Sequence, residues 1–273
     1  MMARLIVAAV GIAVLLPVVF LCPLWVFAIF IGAICALCVR EFLRCAAPEL
    51  PLRMRIVGMV FAGIVPFAGA FGGHNAVTAA AIMLSLLYLA AEVVLSFQRE
   101  EPFSLQGILA YVFSVAFIPL MLGALVRVGT AGEWFRARLL LPFLIAFTCD
   151  SGAYFVGIAF GKHKLTPKLS PNKSLEGYIG GFLTGIVCAL LYGVVLHLCG
   201  VEVRFVVLMI YGFLGSFACE LGDLFFSAVK RLCDVKDFGH LIPGHNGVMD
   251  RFDSLVFVAP LVEVLLLWVP AIL

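Results

Sequence analysis

Apolar residues run along this chain in long unbroken stretches, each close to the ~20 residues that cross a ~30 Å hydrocarbon core. They lack the period-two alternation of a membrane barrel, and only a helix or a closed barrel satisfies its own backbone in lipid. The pattern therefore predicts an all-α, polytopic integral membrane protein with about nine transmembrane helices. These fall over 4–21, 23–39, 54–72, 75–97, 104–126, 138–160, 178–198, 205–231 and 252–271. The first run leads straight into the second without a small-residue cleavage site, so it reads as a retained span and not as a removed signal peptide. No stretch is left over for a separate soluble domain. The chain reads as one membrane domain, 1–273, with hydrophobic helices in 1–137 and the functional helices and loops in 138–273.

Composition agrees with the pattern. Of 273 residues, 64% are hydrophobic and 12% charged, against roughly 45–50% and about 25% in soluble proteins. Net charge is only +2, which argues against a nucleic-acid partner. The placement of charge says more. With the N-terminus inside, fourteen Lys and Arg fall on the inner side, and Arg127, Arg136, Arg138 and Arg204 fall outside. The positive-inside rule then predicts an N-in, C-out protein. Nine cysteines lie mostly in apolar surroundings and read as small buried hydrophobes with free thiols.

Two polar clusters fall on the predicted inner face. The first is "CDSGAYFVGIAFGKHKLTPKLSPNKSLEGYIGG", Cys149 to Gly181. Asp150 lies about ten residues inside its span, where an ionisable group marks a functional cavity by default, or else a protonated packing residue. The loop that follows carries Lys162, Lys164, Lys168 and Lys173. Such lysines supply point charges for phosphate oxygens, or simply anchor the span in the headgroup region. Lys173 and Ser174 stand at the mouth of a helix, where free backbone N–H groups favour an anion; Ser174 serves equally as an N-cap.

The second cluster runs from "ACELGDLFF" through "SAVKRLCDVKDFGHLIPGHNGVMDRFDS". Asp223, Ser227 and Lys230 are spaced i, i+4, i+7 and share a helix face, with Glu220 near the same stripe. Mg²⁺ takes one or two carboxylates plus phosphate oxygens, so this face suits a metal–phosphate complex; a solvated, salt-bridged helix end is the plainer reading. Asp250 and Asp253 sit at the start of the last span, where either could cap it. His240 and His245 lack zinc-site spacing with Cys233. Together these residues suggest a metal-dependent membrane site for a phosphorylated substrate.

The second cluster resembles the C-terminal signature of phosphatidate cytidylyltransferases, the CDP-diacylglycerol synthases. Ser227, Lys230, Arg231, Lys236, Asp237, Gly239, Ile242, Pro243, His245, Gly247, Asp250, Arg251 and Asp253 fall in register on S-x-x-K-R-x4-K-D-x-G-x2-(I/L)-P-x-H-G-G-x-x-D-R-x-D. The first cluster is similar to the family's upstream stretch through Asp150, Gly152, Tyr154, Gly161, Lys162, His163, Lys164, Pro167, Ser170, Pro171, Lys173, Ser174, Glu176 and Gly177. The resemblance covers roughly 145–260. Asn246 replaces the first Gly of H-G-G, and Phe226 stands where the pattern has Glu. Asn is the least costly replacement if that position needs a positive φ, and Glu220 is a candidate substitute for the missing Glu.

The resemblance implies the reaction of CTP with phosphatidate to give CDP-diacylglycerol and pyrophosphate. It implies catalytic roles for Asp223, Ser227, Lys230 and Asp250, with Asp223 and Asp250 as Mg²⁺ ligands and the number of cations left open. Asp150, Lys173, Ser174, Arg231, Lys236, Asp237, His245 and Arg251 become substrate-binding residues. CTP would arrive from the cytoplasm and lipid from the inner membrane; monomer and homodimer both stay open. Rival readings are a CTP-dependent polyprenol kinase, an ether-lipid cytidylyltransferase, and a transporter with a relay of Asp150, Glu92 and Glu263.

Overall fold

The structure is a computed structural model, and it describes residues 11, 13–70, 74–130, 134–167, 169–171, 173–241 and 246–273. Among the described residues eight long helices follow one another: α1 Leu24–Ala46, α2 Leu52–Gly69, α3 His74–Gln98, α4 Leu105–Val128, α5 Phe135–Phe160, α6 Leu175–Leu198, α7 Phe205–Leu232 and α8 Met249–Trp268. Among the described residues there is no strand, only two isolated bridges. Among the described residues, seven helices, α1 to α7, are long and apolar enough to cross a membrane. The expected 4–21 span lies largely outside the described residues, and its described part is helical over 13–20. Helix α8 starts three residues before the expected span 252–271 and carries Asp250, Arg251, Asp253 and Glu263 along its 20 residues. The chain divides into two compact units, one of 1–130 and 233–251, the other of 131–232 and 252–273.

In the first unit α1 packs chiefly on α2. Lipid is as apolar as leucine, so close packing and hydrogen bonds, more than water exclusion, join membrane helices. Gly32 and Gly63 meet backbone to backbone, and a methyl group on Gly32 would come 3.4 Å from the Gly63 carbonyl carbon. At the start of α2, Arg53 pairs with Glu92 of α3 through two hydrogen bonds of 2.8 and 3.0 Å, with Arg99 at 3.6 Å from the same carboxylate. Ser104 caps α4 by accepting from the Gly107 N–H at 2.9 Å and donates to Glu49 at 2.6 Å. Within α4 a π turn spans Phe113–Phe117, just ahead of Pro119. Proline has no N–H and its ring clashes with the carbonyl four residues back, and a widened turn relieves that clash. The helix α1 runs on through Ala46, past the expected end at 39, because Glu41, Phe42 and Leu43 are buried within the unit.

In the second unit α5 packs on α6 and α6 on α7. Small residues again set the spacing: a methyl on Gly212 of α7 would sit 2.7 Å from the Ile186 Cα of α6. One end of the unit is closed by Ala137, Leu196, Val201 and Ile272. There Arg204 donates its N–H to Ala271 (2.9 Å), and Tyr211 donates its hydroxyl to the Val269 carbonyl (3.0 Å). The opposite end carries the polar residues.

Candidate functional site

In the second unit the chain leaves α5 at Gly161 and returns to α6 through a loop fixed at both ends. Glu176, in the first turn of α6, accepts the Lys162 N–H at 3.0 Å and meets His163 Nδ1 at 2.6 Å. An antiparallel bridge joins Lys164 to Ser174, with Leu175 N donating to the His163 carbonyl at 2.8 Å. Ser174 is buried and caps α6, accepting from Gly177 N at 3.2 Å. Its position is set by the cap, so the capping alternative is correct for its side chain. The loop thereby fixes Lys173, whose ammonium forms an ion pair with Asp223 and lies 5.6 Å from the Tyr178 ring centroid.

The predicted stripe on α7 is present. Ser227 donates to Asp223 Oδ1 at 3.3 Å, so a lysine and a hydroxyl engage the two Asp223 oxygens. Lys230 lies one turn on, and its ammonium is 3.9 Å from Asp253 Oδ2, both side chains being largely buried. Arg231 is exposed and donates Nε to the Leu169 carbonyl at 3.4 Å. On α5, Asp150 accepts from the Cys219 thiol at 3.3 Å and the Ser254 hydroxyl at 3.5 Å. Glu220 is buried and accepts from the Cys149 thiol at 3.9 Å. Asp150, Glu220, Asp223 and Asp253 interact electrostatically, with Lys173 and Lys230 among them. Phe226 sits in an aromatic group with Phe225 and Phe257, 5.0 and 6.3 Å between ring centroids.

The first unit holds the rest of the second cluster. Asp250 Oδ2 accepts the N–H groups of Phe238 and Gly247, each at 3.0 Å. Asp237 accepts from Asn246 Nδ2 at 2.7 Å, and Asn246 has φ 67°, the left-handed conformation that Asn tolerates. Lys236 and Arg251 are exposed. His245 lies outside the described residues. Helix α8 begins at Met249, so Asp250 and Asp253 both lie inside it, and neither is its cap as the sequence suggested. Asp253 is instead the partner of Lys230, and its Oδ1 accepts the Ser254 N–H at 2.8 Å.

Thus Asp150, Lys173, Ser174, Asp223, Ser227, Lys230 and Arg231 belong to the second unit, and Lys236, Asp237, Asp250 and Arg251 to the first. Sequence reasoning missed Cys219, Ser254 and Glu41, which has one carboxylate oxygen against the loop of the first unit. The signal for Glu41 was weak: it stands between Arg40 and Arg44 just past the expected span end at 39. Among the described residues no three His, Cys, Asp or Glu are grouped as a ready-made metal cage. The donors present in the second unit are hard carboxylate oxygens in surplus over the lysines, the type that Mg²⁺ takes one or two at a time while phosphate and water fill the rest of its shell.

The chain resembles known proteins over its whole length. A family model described as "Cytidylyltransferase family" matches residues 2–269. A phosphatidate cytidylyltransferase of Staphylococcus aureus is 32% identical over 274 residues, covering 98% of this chain and 99% of its own. One from Staphylococcus epidermidis is 37% identical over 188 residues, 68% of this chain and 70% of the relative. One from Bacillus subtilis is 44% identical over 123 residues, and there the match spans 45% of each chain.

Proposed function

The chain belongs to the cytidylyltransferase family, and we propose that it is a phosphatidate cytidylyltransferase, converting CTP and phosphatidate into CDP-diacylglycerol and pyrophosphate. The observation that carries this reading is the ion pair between Lys173 of the loop before α6 and Asp223 of α7, with Ser227 on the same carboxylate. It joins the two sequence stretches that resemble the family signature.

The chemistry asks for little covalent work from the protein. A phosphomonoester has its second pKa near ~6, so phosphatidate is largely a dianion at neutral pH and needs no strong base. One of its phosphate oxygens attacks the α-phosphorus of CTP; the bond to the α–β bridging oxygen breaks, and its electron pair leaves with pyrophosphate. Bringing two polyanions together is the difficulty. Lys173 and Lys230 neutralise phosphate oxygens as point charges, and Ser227 orients one of them through its hydroxyl. Asp223 would hold Mg²⁺ in the second unit, and by the resemblance Asp250 would be a Mg²⁺ ligand in the first. When bound, the ion would neutralise the nucleotide phosphates and stabilise the departing pyrophosphate. The fixed loop holds Lys173 in place before substrate arrives, so positioning is complete before the reaction begins. Arg231, Lys236, Asp237, His245 and Arg251 contact the substrates at the membrane boundary, and Asp150 shapes the floor of the cavity.

In this reading the protein has nine spans, N-in and C-out, in the cytoplasmic membrane, with the site at the cytoplasmic interface. The lysine excess on that side of the sequence supports it. Purified protein in mixed micelles with phosphatidate, Mg²⁺ and CTP labelled at both cytidine and γ-phosphorus tests the reaction. Cytidine label in lipid with γ-label in pyrophosphate is expected. Transfer of γ-label to lipid would instead make it a kinase, and label in neither place would overturn the enzyme assignment.

A further inference from the structure

Glu41 is a buried acid, 2% exposed, in the last two turns of α1. An ionised carboxylate in such a place is costly unless its oxygens are paired. Its Oε2 accepts the backbone N–H of Met249 at 2.8 Å, the first residue of α8. Its Oε1 is buried and has no hydrogen-bond partner among the described residues. The carboxylate is wedged between the two arms of the loop. A methyl group on Gly247 would come 2.5 Å from Oε2, and one on Gly239 would come 2.6 Å from the Glu41 Cδ. For Gly239 the three nearest atoms all belong to Glu41. The glycines of the signature loop therefore leave room for this one side chain.

The same loop closes on Asp250 from the other side. Phe238 N and Gly247 N both donate to Asp250 Oδ2, while Phe238 is held by its ring against Phe42, 5.9 Å between centroids, and by its carbonyl accepting from the Cys45 thiol at 3.2 Å. Two adjacent turns of α1 thus present Glu41, Phe42 and Cys45 to the loop. A carboxylate on the first N–H of α8 also occupies the favourable end of that helix's dipole.

We propose that Glu41 is a positioning residue for the cytidylyltransferase reaction: it clamps the described arms of the loop, 237–241 and 246–249, onto α1 and so fixes the orientation of Asp250, one residue past the N–H it holds. The proposal rests on the reading of Asp250 as a functional carboxylate, but the clamp itself is measurable without activity. Glu41 touches neither substrate in this role, so its loss acts through the loop.

The test is hydrogen-exchange mass spectrometry of the full-length protein in nanodiscs, alongside the CTP assay. In Glu41→Ala the amides of 237–241 and 246–250 are expected to exchange roughly tenfold faster, as for one lost net hydrogen bond, with helices α5 to α7 unchanged. Turnover should fall about 10–100-fold, as when a partner orienting a functional ligand is removed, with KM for CTP little changed. Glu41→Gln keeps an acceptor of the same shape and should restore most of the protection and turnover. Gly239→Ala should loosen the same segment, and in the Glu41→Ala background it should add little, since its obstacle is gone. Protection within twofold of the wild type in Glu41→Ala, or full additivity of the two substitutions, overturns the clamp. If Glu41→Ala fails to fold, Glu41→Gln against Gly239→Ala decides: a loop protected in both overturns it. A wild-type protein inactive with phosphatidate and CTP, yet showing these exchange changes, would remove the function and leave the clamp standing.

Discussion

Lys173 and Asp223 stand fifty positions apart and meet as an ion pair. Their residue types and the i, i+4 spacing of Asp223 with Ser227 were readable from the sequence, because a helix fixes which of its own side chains are neighbours. The pairing across elements was not. Asp253 looked like a helix cap and is the partner of Lys230; Glu41 finds Met249 at a separation of 208 residues, a distance over which no local rule reaches. Asn246 is the opposite case, since its tolerance of a left-handed backbone anticipated the φ of 67°. For Asp223→Asn we expect activity below about a tenth of wild type, with insertion into the membrane unaffected, because a neutral amide forms no ion pair with Lys173 and is a much weaker Mg²⁺ ligand than a carboxylate. A variant that keeps more than that in the labelled-CTP assay removes Asp223 from the metal role.

The helices followed from apolar runs, with ends that differ by a few residues wherever something other than hydrophobicity decides them. Helix α1 outlasts its apolar run because its last two turns are buried beneath the loop of the first unit. Helix α4 contains a π turn that no pattern of polarity encodes, although Pro119 marks its place. What membrane-spanning runs hide is which side of each helix meets another, since all sides are apolar. Glycine placement supplies that in part. At the contact of α6 with α7 the two backbones come too close for any side chain on Gly212, whose added methyl would press on main chain and not on a yielding side chain. Gly212→Ala should therefore destabilise by about 1–3 kcal/mol, the usual cost of overpacking, and lower the unfolding midpoint in detergent. An unchanged midpoint would mean that the helices can separate at little cost.

The two units hold different parts of the signature, and the orientation of both in the bilayer is open to a direct measurement. Cys199 is exposed in the connection between α6 and α7, a segment that the N-in reading puts outside. With the other cysteines replaced, an impermeant maleimide added to intact cells is expected to label Cys199, and a protein left with Cys233 alone is expected to stay unlabelled. The reverse pattern would invert the topology and move the polar end to the far side. Helix α7 has 28 residues, about 42 Å at 1.5 Å per residue, which exceeds the ~30 Å hydrocarbon core; in the proposed N-in topology its last turns emerge among the inner headgroups. A site borne there never has to lift its lipid into water. Its encounter with that lipid is a two-dimensional search, so the rate should track the mole fraction of phosphatidate in the bilayer, and inert lipid added at fixed bulk concentration should slow it.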